Sequence, residues 1–150
     1  MTDQRSYPDR PVLAVSAAIF RDDKVLIVRR ARSPGRGIYT LPGGGVETGE
    51  TLAEAAVREV REETGLTVAT VALAGYRDII MRDKEGRAER HFVVVCFAAH
   101  WIAGEPSPSE ELSEAQWRDP TELASLHTTE GLAEIVASAA AILSAHSPHS

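Results

Sequence analysis

Apolar positions along the chain follow two rhythms, and the changes between them mark out the elements. "PVLAVSAAIF" (11 to 20) and "KVLIVRR" (24 to 30) are β-rich runs on either side of "RDD", which predicts a hairpin. A helical rhythm appears only after residue 50, where Leu52, Ala55, Ala56 and Val60 recur at the spacing of one helix face. Thr51 stands as its N-cap with Glu54 as the capping-box partner, and Gly65 supplies the stop, since glycine takes the left-handed conformation there. "LTVATVALAGYRDIIM" and "ERHFVVVCFAAHWIA" then read as two long strands joined by a turn at "RDKEGRA". "GEPSPSEELSEA" (104 to 115) reads as a polar loop. A short strand around Trp117 follows it, then a helical turn after Pro120 and a last helix from Thr129 to Ser144 capped by Thr128 or Thr129.

Strands, a helix, more strands and a closing helix predict an α/β or α+β sandwich with a mixed sheet. Residues 11–144 form the single expected domain, 1–10 a loose polar lead-in and 145–150 a frayed tail. A chain of 150 residues has room for one well-buried core. The segment 31–50, with six glycines and two prolines, is expected to be mostly loop, and so long a loop in a compact domain is usually functional.

Composition narrows the class. An apolar fraction of 43% with 25% charged residues is that of a globular domain. No apolar run reaches the length of a membrane span, and "MTDQRSYPDRP" lacks the apolar core of a signal peptide, so a cytoplasmic protein without a membrane partner is expected. Cys96, the only cysteine, lies inside a strand-like run; it offers neither a disulfide nor a cysteine zinc site and is expected in the core. The net charge of −6 argues against polymeric nucleic acid as a partner. Lys24 and Lys84 are the only lysines, so the basic side is nearly all arginine, the residue suited to forked contacts with phosphate.

Within the first helix, "REVREETG" (58 to 65) sets Glu59, Glu62 and Glu63 on one face, and like charges at i,i+4 repel. Three explanations stand open: a solvated acidic face, neutralisation by Arg58 and Arg61, or a bound cation. Divalent cations such as Mg²⁺ take hard oxygen ligands, and carboxylates spaced 0, +3, +4 at a helix end meet that need. Just upstream, the backbone of Gly43, Gly44 and Gly45 can approach an anion or metal closely. Glycine backbone and acidic helix together describe a site where main-chain groups and metals share a polyphosphate.

The stretch from Gly44 to Leu66 resembles the signature of the Nudix hydrolase family. Its places are filled by Gly44, Glu50, Arg58, Glu59, Val60, Glu62, Glu63, Gly65 and Leu66, with none missed. The resemblance implies an α/β/α sandwich around a mixed sheet and Mg²⁺-dependent hydrolysis of a phosphoanhydride in a nucleoside diphosphate derivative, with Mn²⁺ as an alternative metal. It makes Glu59, Glu62 and Glu63 the metal ligands, with the carbonyl of Gly43 as an extra one. Arg58 is implied to orient these carboxylates and Glu50 to assist through a water. Glu111, six residues before Trp117 as in MutT-like members, is implied to act on the attacking water, with its neighbour Glu110 as second choice.

Substrate markers of the family are missing. The chain has no asparagine, and Thr129 stands where MutT-like enzymes read a base with Asn; Arg82 replaces the proline that marks one group of ADP-ribose hydrolases. Tyr76 is not at the spacing of diadenosine polyphosphate hydrolases. An ADP-ribose-like or nucleotide-sugar substrate is therefore placed ahead of a nucleoside triphosphate, and a non-catalytic nucleotide-sensing module is the rival. Arg29 and Arg30 end a strand on opposite faces, so one of them can reach a phosphate. Tyr39 and Trp101 can stack a base, and His91, His100 and His127 are each core or substrate contacts. A homodimer through the N-terminal strand or terminal helix is open to the chain.

Overall fold

A computed structural model describes residues 6–33 and 35–146. β1 (Val12–Arg21) turns at Asp22 and Asp23 into β2 (Lys24–Arg30), with Phe20 opposite Val25, so the predicted hairpin forms. Two short strands follow, β3 (Tyr39–Thr40) and β4 (Gly43–Gly45), then α1 (Leu52–Thr64). β5 (Thr67–Arg82) and β6 (Ala88–Ala103) make the long second hairpin; β7 (Leu112–Arg118), a 3₁₀ turn over Pro120–Ser125 and α2 (Leu132–Ala145) complete the chain.

Among the described residues the strands form one mixed sheet in the order β3-β2-β1-β6-β5, with β4 added to β1 and β7 to β2. β1 is its centre. Along one edge it runs parallel to β6 from the Val12–Phe92 pair to the Phe20–His100 pair. Its other edge is shared: β2 pairs with Phe20 and Arg21, while β4 pairs with Ala14 to Ser16. The neighbouring strands part between these two patches, and the site described below opens there.

Alternation along β1 sorts its side chains to two helices. Val15 packs with Ala55 and Ala56 of α1, and Ala17 and Ile19 join Leu26, Val28 and Val60 on that face. Ala18 and Phe20 face the other way, with Val25, Ile27 and Cys96, onto Leu132, Ile135, Val136 and Ala139 of α2. The result is the expected α/β/α sandwich. Cys96 is fully buried, as expected of a lone cysteine.

α1 has the caps read from its sequence. Thr51 Oγ1 accepts the Glu54 amide at 3.1 Å, the Glu54 carboxylate accepts the Thr51 amide at 2.8 Å, and Gly65 closes the helix at φ 81°. Such a cap is worth about 1 kcal/mol.

Three expectations need correction. The last helix begins at Leu132 behind Gly131, with no side-chain cap, and not at Thr129. Thr128 and Thr129 are drawn into an extended bridge to Tyr39, whose carbonyl accepts the Thr129 amide at 3.1 Å. β7 starts at Leu112, inside the stretch read as loop, because residues 112 to 118 pair along β2 from Arg30 to Val25. Gly43–Gly45 is a strand and not a loop. In the lead-in, residues 1–5 lie outside the described residues. Tyr7 is held on the β5–β6 hairpin, its amide donating to the Glu89 carbonyl at 2.7 Å and its hydroxyl to Asp83 at 3.0 Å. Of the tail, Ala145 belongs to α2, His146 caps it, and residues 147–150 lie outside the described residues.

Candidate active site

Arg58 is the hub of the acidic helix. Its Nε and one Nη fork onto Glu50 at 2.5 and 2.8 Å, and that same Nη donates to the Gly45 carbonyl at 3.0 Å. The other Nη donates to Glu59 at 2.8 Å and Glu62 at 3.2 Å. One guanidinium thus binds the glycine strand, the loop before the helix and two of the three clustered carboxylates. Forked, charge-assisted hydrogen bonds of this kind fix orientation as well as charge. The Arg58 fork, with help from the Glu47 amide, holds the Glu50 carboxyl down at about 2. A carboxylate so engaged is a poor base. Glu50, for which the signature implies assistance through a water, is engaged by Arg58 through both carboxylate oxygens.

The glycine strand seats the remaining acids. A Cβ on Gly44 would lie 2.1 Å from Glu59 Oε2, so the Glu59 carboxylate occupies the space that any side chain at 44 would take. Ala17 donates to the Pro42 carbonyl and Val46 to the Leu13 carbonyl, which makes Gly43 and Gly45 the positions whose N–H and C=O turn away from β1. The contacts agree with that parity: the Gly43 amide donates to Glu63 at 3.2 Å, and the Gly45 carbonyl accepts from Arg58. The Gly43 carbonyl is left on the same side as Glu63. Burial raises the Glu63 carboxyl to about 7; Glu59 and Glu111 push it the same way, while the Gly43 hydrogen bond and Arg30 oppose. Glu62 is mostly in solvent, at 59% exposure against 16% for Glu59.

Among the described residues these carboxylates are not gathered around one point, since Arg58 holds Glu59 and Glu62 while Gly43 holds Glu63. Their chemistry nevertheless fits a divalent cation. All the donors are hard oxygens on two turns of one helix, one is seated against bare backbone, and one is a buried acid whose ionisation calls for positive charge beside it.

A cavity of about 470 Å³ runs from this acidic turn across the α2 face of the sheet. α2 covers only the Ala18–Phe20 half of β1 on that side, so Ala14 and Ser16, with Phe92 and Val94 of β6, form a floor. Arg30, Gly43, Gly44 and Glu63 line it together with Arg77, Arg90 and Thr129. Arg30 thus lines the cavity, and Arg29 does not. Arg29 instead donates to Glu114 at 3.2 Å and to the Gly37 carbonyl at 3.2 Å. Glu111 stands at the head of β7, 3.6 Å from Arg32, and adds to the field at Glu63; Glu110 pairs with Arg32 at 3.5 Å and points further into solvent.

The aromatic candidates are engaged elsewhere. Tyr39 donates to Glu114 at 2.7 Å and lies between Arg29 and Arg118, while Trp101 stacks under Arg21 and donates to the Gly104 carbonyl. Neither they nor the three histidines line the cavity. Arg77, like Arg90, is a charged lining residue that the motifs of the sequence do not single out. Its signal was a charged residue sharing strand parity with Ile79 and Met81 in an apolar run.

The fold and the glycine strand set against an acidic helix are those of one protein family. The chain belongs to the NUDIX domain family, whose profile matches residues 10–139. It is 38% identical over 116 residues to a protein of Methanocaldococcus jannaschii named ADP-ribose pyrophosphatase, across 77% of this chain and 66% of that one. It is 34% identical over 118 residues to the NAD-capped RNA hydrolase NudC of Vibrio atlanticus, across 78% of this chain but only 40% of the relative. Among solved structures, a MutT NUDIX hydrolase from Burkholderia pseudomallei superposes with a TM-score of 0.75 at 27% identity, covering 87% of this chain and 98% of the other. An ADP-ribose pyrophosphatase from Streptococcus suis superposes at 0.67 with 27% identity, covering 93% and 96%. No helix among the described residues is long and apolar enough to cross a membrane.

Proposed function

We propose that the chain is a Mg²⁺-dependent pyrophosphohydrolase that cuts the phosphoanhydride of a nucleoside diphosphate derivative, ADP-ribose-like or a nucleotide sugar. The observation that carries this reading is the acidic turn of α1 seated against bare glycine backbone at the edge of a cavity of about 470 Å³. The relative named ADP-ribose pyrophosphatase supports the diphosphate class. A nucleoside triphosphate is the second reading, favoured by the likeness to the MutT structure.

Glu59, Glu62, Glu63 and the Gly43 carbonyl would hold the metal. When bound, a divalent cation neutralises phosphate oxygens and lowers the pKa of water. Arg58, fixed by Glu50, keeps Glu59 and Glu62 on the site side of the helix. Arg30, in the cavity wall beside Glu63, meets the diphosphate, and a guanidinium suits that task. Glu111, at the sheet edge near Glu63, positions the attacking water through its carboxylate oxygens.

Phosphate-containing products should form from ADP-ribose or a nucleotide sugar with Mg²⁺ and vanish on chelation, and product identification shows which phosphorus is attacked. Glu62→Gln should lower kcat by about 100-fold or more while leaving the fold intact, a loss typical of displaced catalytic geometry. Full turnover by that variant would remove Glu62 from the metal set.

A further inference from the structure

Arg77 is a half-buried guanidinium in the cavity wall with no carboxylate partner among the described residues. Both of its hydrogen bonds run through Nη1, to Thr129 Oγ1 at 2.8 Å and the Glu130 carbonyl at 3.0 Å, while Nε is buried and makes none. The acidic group that acts on Arg77 is the Cys96 thiol, whose pKa burial raises. Thr129 is itself set by Thr40 Oγ1 at 3.2 Å, so the wall that holds Nη1 is built from two separate segments. A positioned, desolvated cation lacking a counter-charge is costly in an empty pocket and useful only once an acceptor arrives.

We propose that Arg77 is a specificity-determining residue that receives an acceptor-only group on the moiety beyond the pyrophosphate, either the oxo edge of a guanine-type base or the oxygens of a terminal phosphate. This rests on the pyrophosphohydrolase reading and narrows it. The two groups share their chemistry, adjacent lone pairs facing a guanidinium fork. The amine edge of adenine puts a donor against a donor and is disfavoured there. Ile79, Met81 and Phe92 supply apolar wall on the same side of the cavity, so recognition falls to the few polar groups, as in most small-molecule sites.

The test is calorimetric binding of GMP, AMP, ribose 5-phosphate and ribose, without added metal, to the wild-type protein and to Arg77→Met and Arg77→Lys. An oxo-edge reader binds GMP about tenfold or more tighter than AMP, the range of a good forked contact, and loses that preference in both variants. A terminal-phosphate reader prefers ribose 5-phosphate to ribose, loses this in Arg77→Met and keeps part of it in Arg77→Lys, since lysine binds phosphate as a point charge. Unchanged binding in Arg77→Met, or equal weakening of all four ligands, overturns the proposal. Should Arg77→Met fail to fold, Arg77→Lys and Thr129→Val, which removes one of the two bonds that hold Nη1, carry the same comparison.

Turnover of GDP-glucose and ADP-glucose with Mg²⁺ separates this proposal from the reading beneath it. Wild-type hydrolysis with KM values that Arg77→Met leaves unchanged, together with binding of ribose 5-phosphate that the variant also leaves unchanged, sinks the subsite and spares the hydrolase. Selective binding with no turnover of any diphosphate does the reverse.

Discussion

Gly44 is the place where one carbon atom decides the site. The Glu59 carboxylate lies where a Cβ would stand, and it can make room only by giving up the bond that Arg58 makes to its other oxygen at 2.8 Å. Gly44→Ala should therefore push Glu59 out of the site and cost about 100-fold in kcat/KM, the scale of a 1 Å displacement. Steady-state kinetics beside a circular dichroism melt check this, and an active, correctly folded Gly44→Ala variant would contradict it. Glu50 makes a second, pH-dependent prediction. Its folded pKa of about 2 lies below the ordinary value of 4.5, so its contribution to stability is fully present above 4.5 and is lost as pH falls from there towards 2. Urea unfolding across that window should show a shallower acid-side decline for Glu50→Gln than for the wild type. Superimposable slopes would show that the Glu50–Arg58 fork contributes nothing to folding.

The two helices show what a sequence can reveal about its own elements. α1 was legible from end to end because its signals are local: Thr51 with Glu54, an apolar face at helical spacing, and Gly65. Its three glutamates were legible for the same reason, since periodicity alone puts them on one face. The start of α2 was not, although Thr128 and Thr129 are good caps in isolation. Tyr39 and Arg77, 89 and 52 positions away by the Tyr39–Thr128 bridge and the Arg77–Thr129 bond, recruit them for other work. β7 was hidden likewise, because the polar residues Ser113 and Glu114 become strand only through pairing with β2. The glycine strand misread as loop belongs to the same class. Arg77 stayed unread because strand parity with Ile79 and Met81 marks only the face it lies on, while its importance depends on α2 leaving that part of the face uncovered, a fact of packing.

The whole molecule carries a net charge of −6, yet the charged side chains lining its cavity are Arg30, Arg77 and Arg90 against Glu63 alone. An acidic exterior around a basic cleft repels bulk anions weakly and rewards a polyphosphate only where metal and arginine meet it together. Glu59, Glu62 and Glu63, beside that cleft, raise the energy of the folded state through mutual repulsion, and a cation held between them lowers it. Such an ion binds the folded chain and not the unfolded one, so it stabilises by RT ln(1 + [L]/Kd), about 2.7 kcal/mol at a hundredfold excess over Kd. For a domain of this size that is a rise of roughly 5–10 °C in Tm. Tm should therefore climb with the logarithm of Mg²⁺ concentration in the wild type and stay flat in the Glu59→Gln/Glu62→Gln double variant. An equal climb in both would mean that the ions act on the acidic surface at large. The flat response of the double variant would tie the stabilisation to the one turn of α1 that the glycine strand was built to receive.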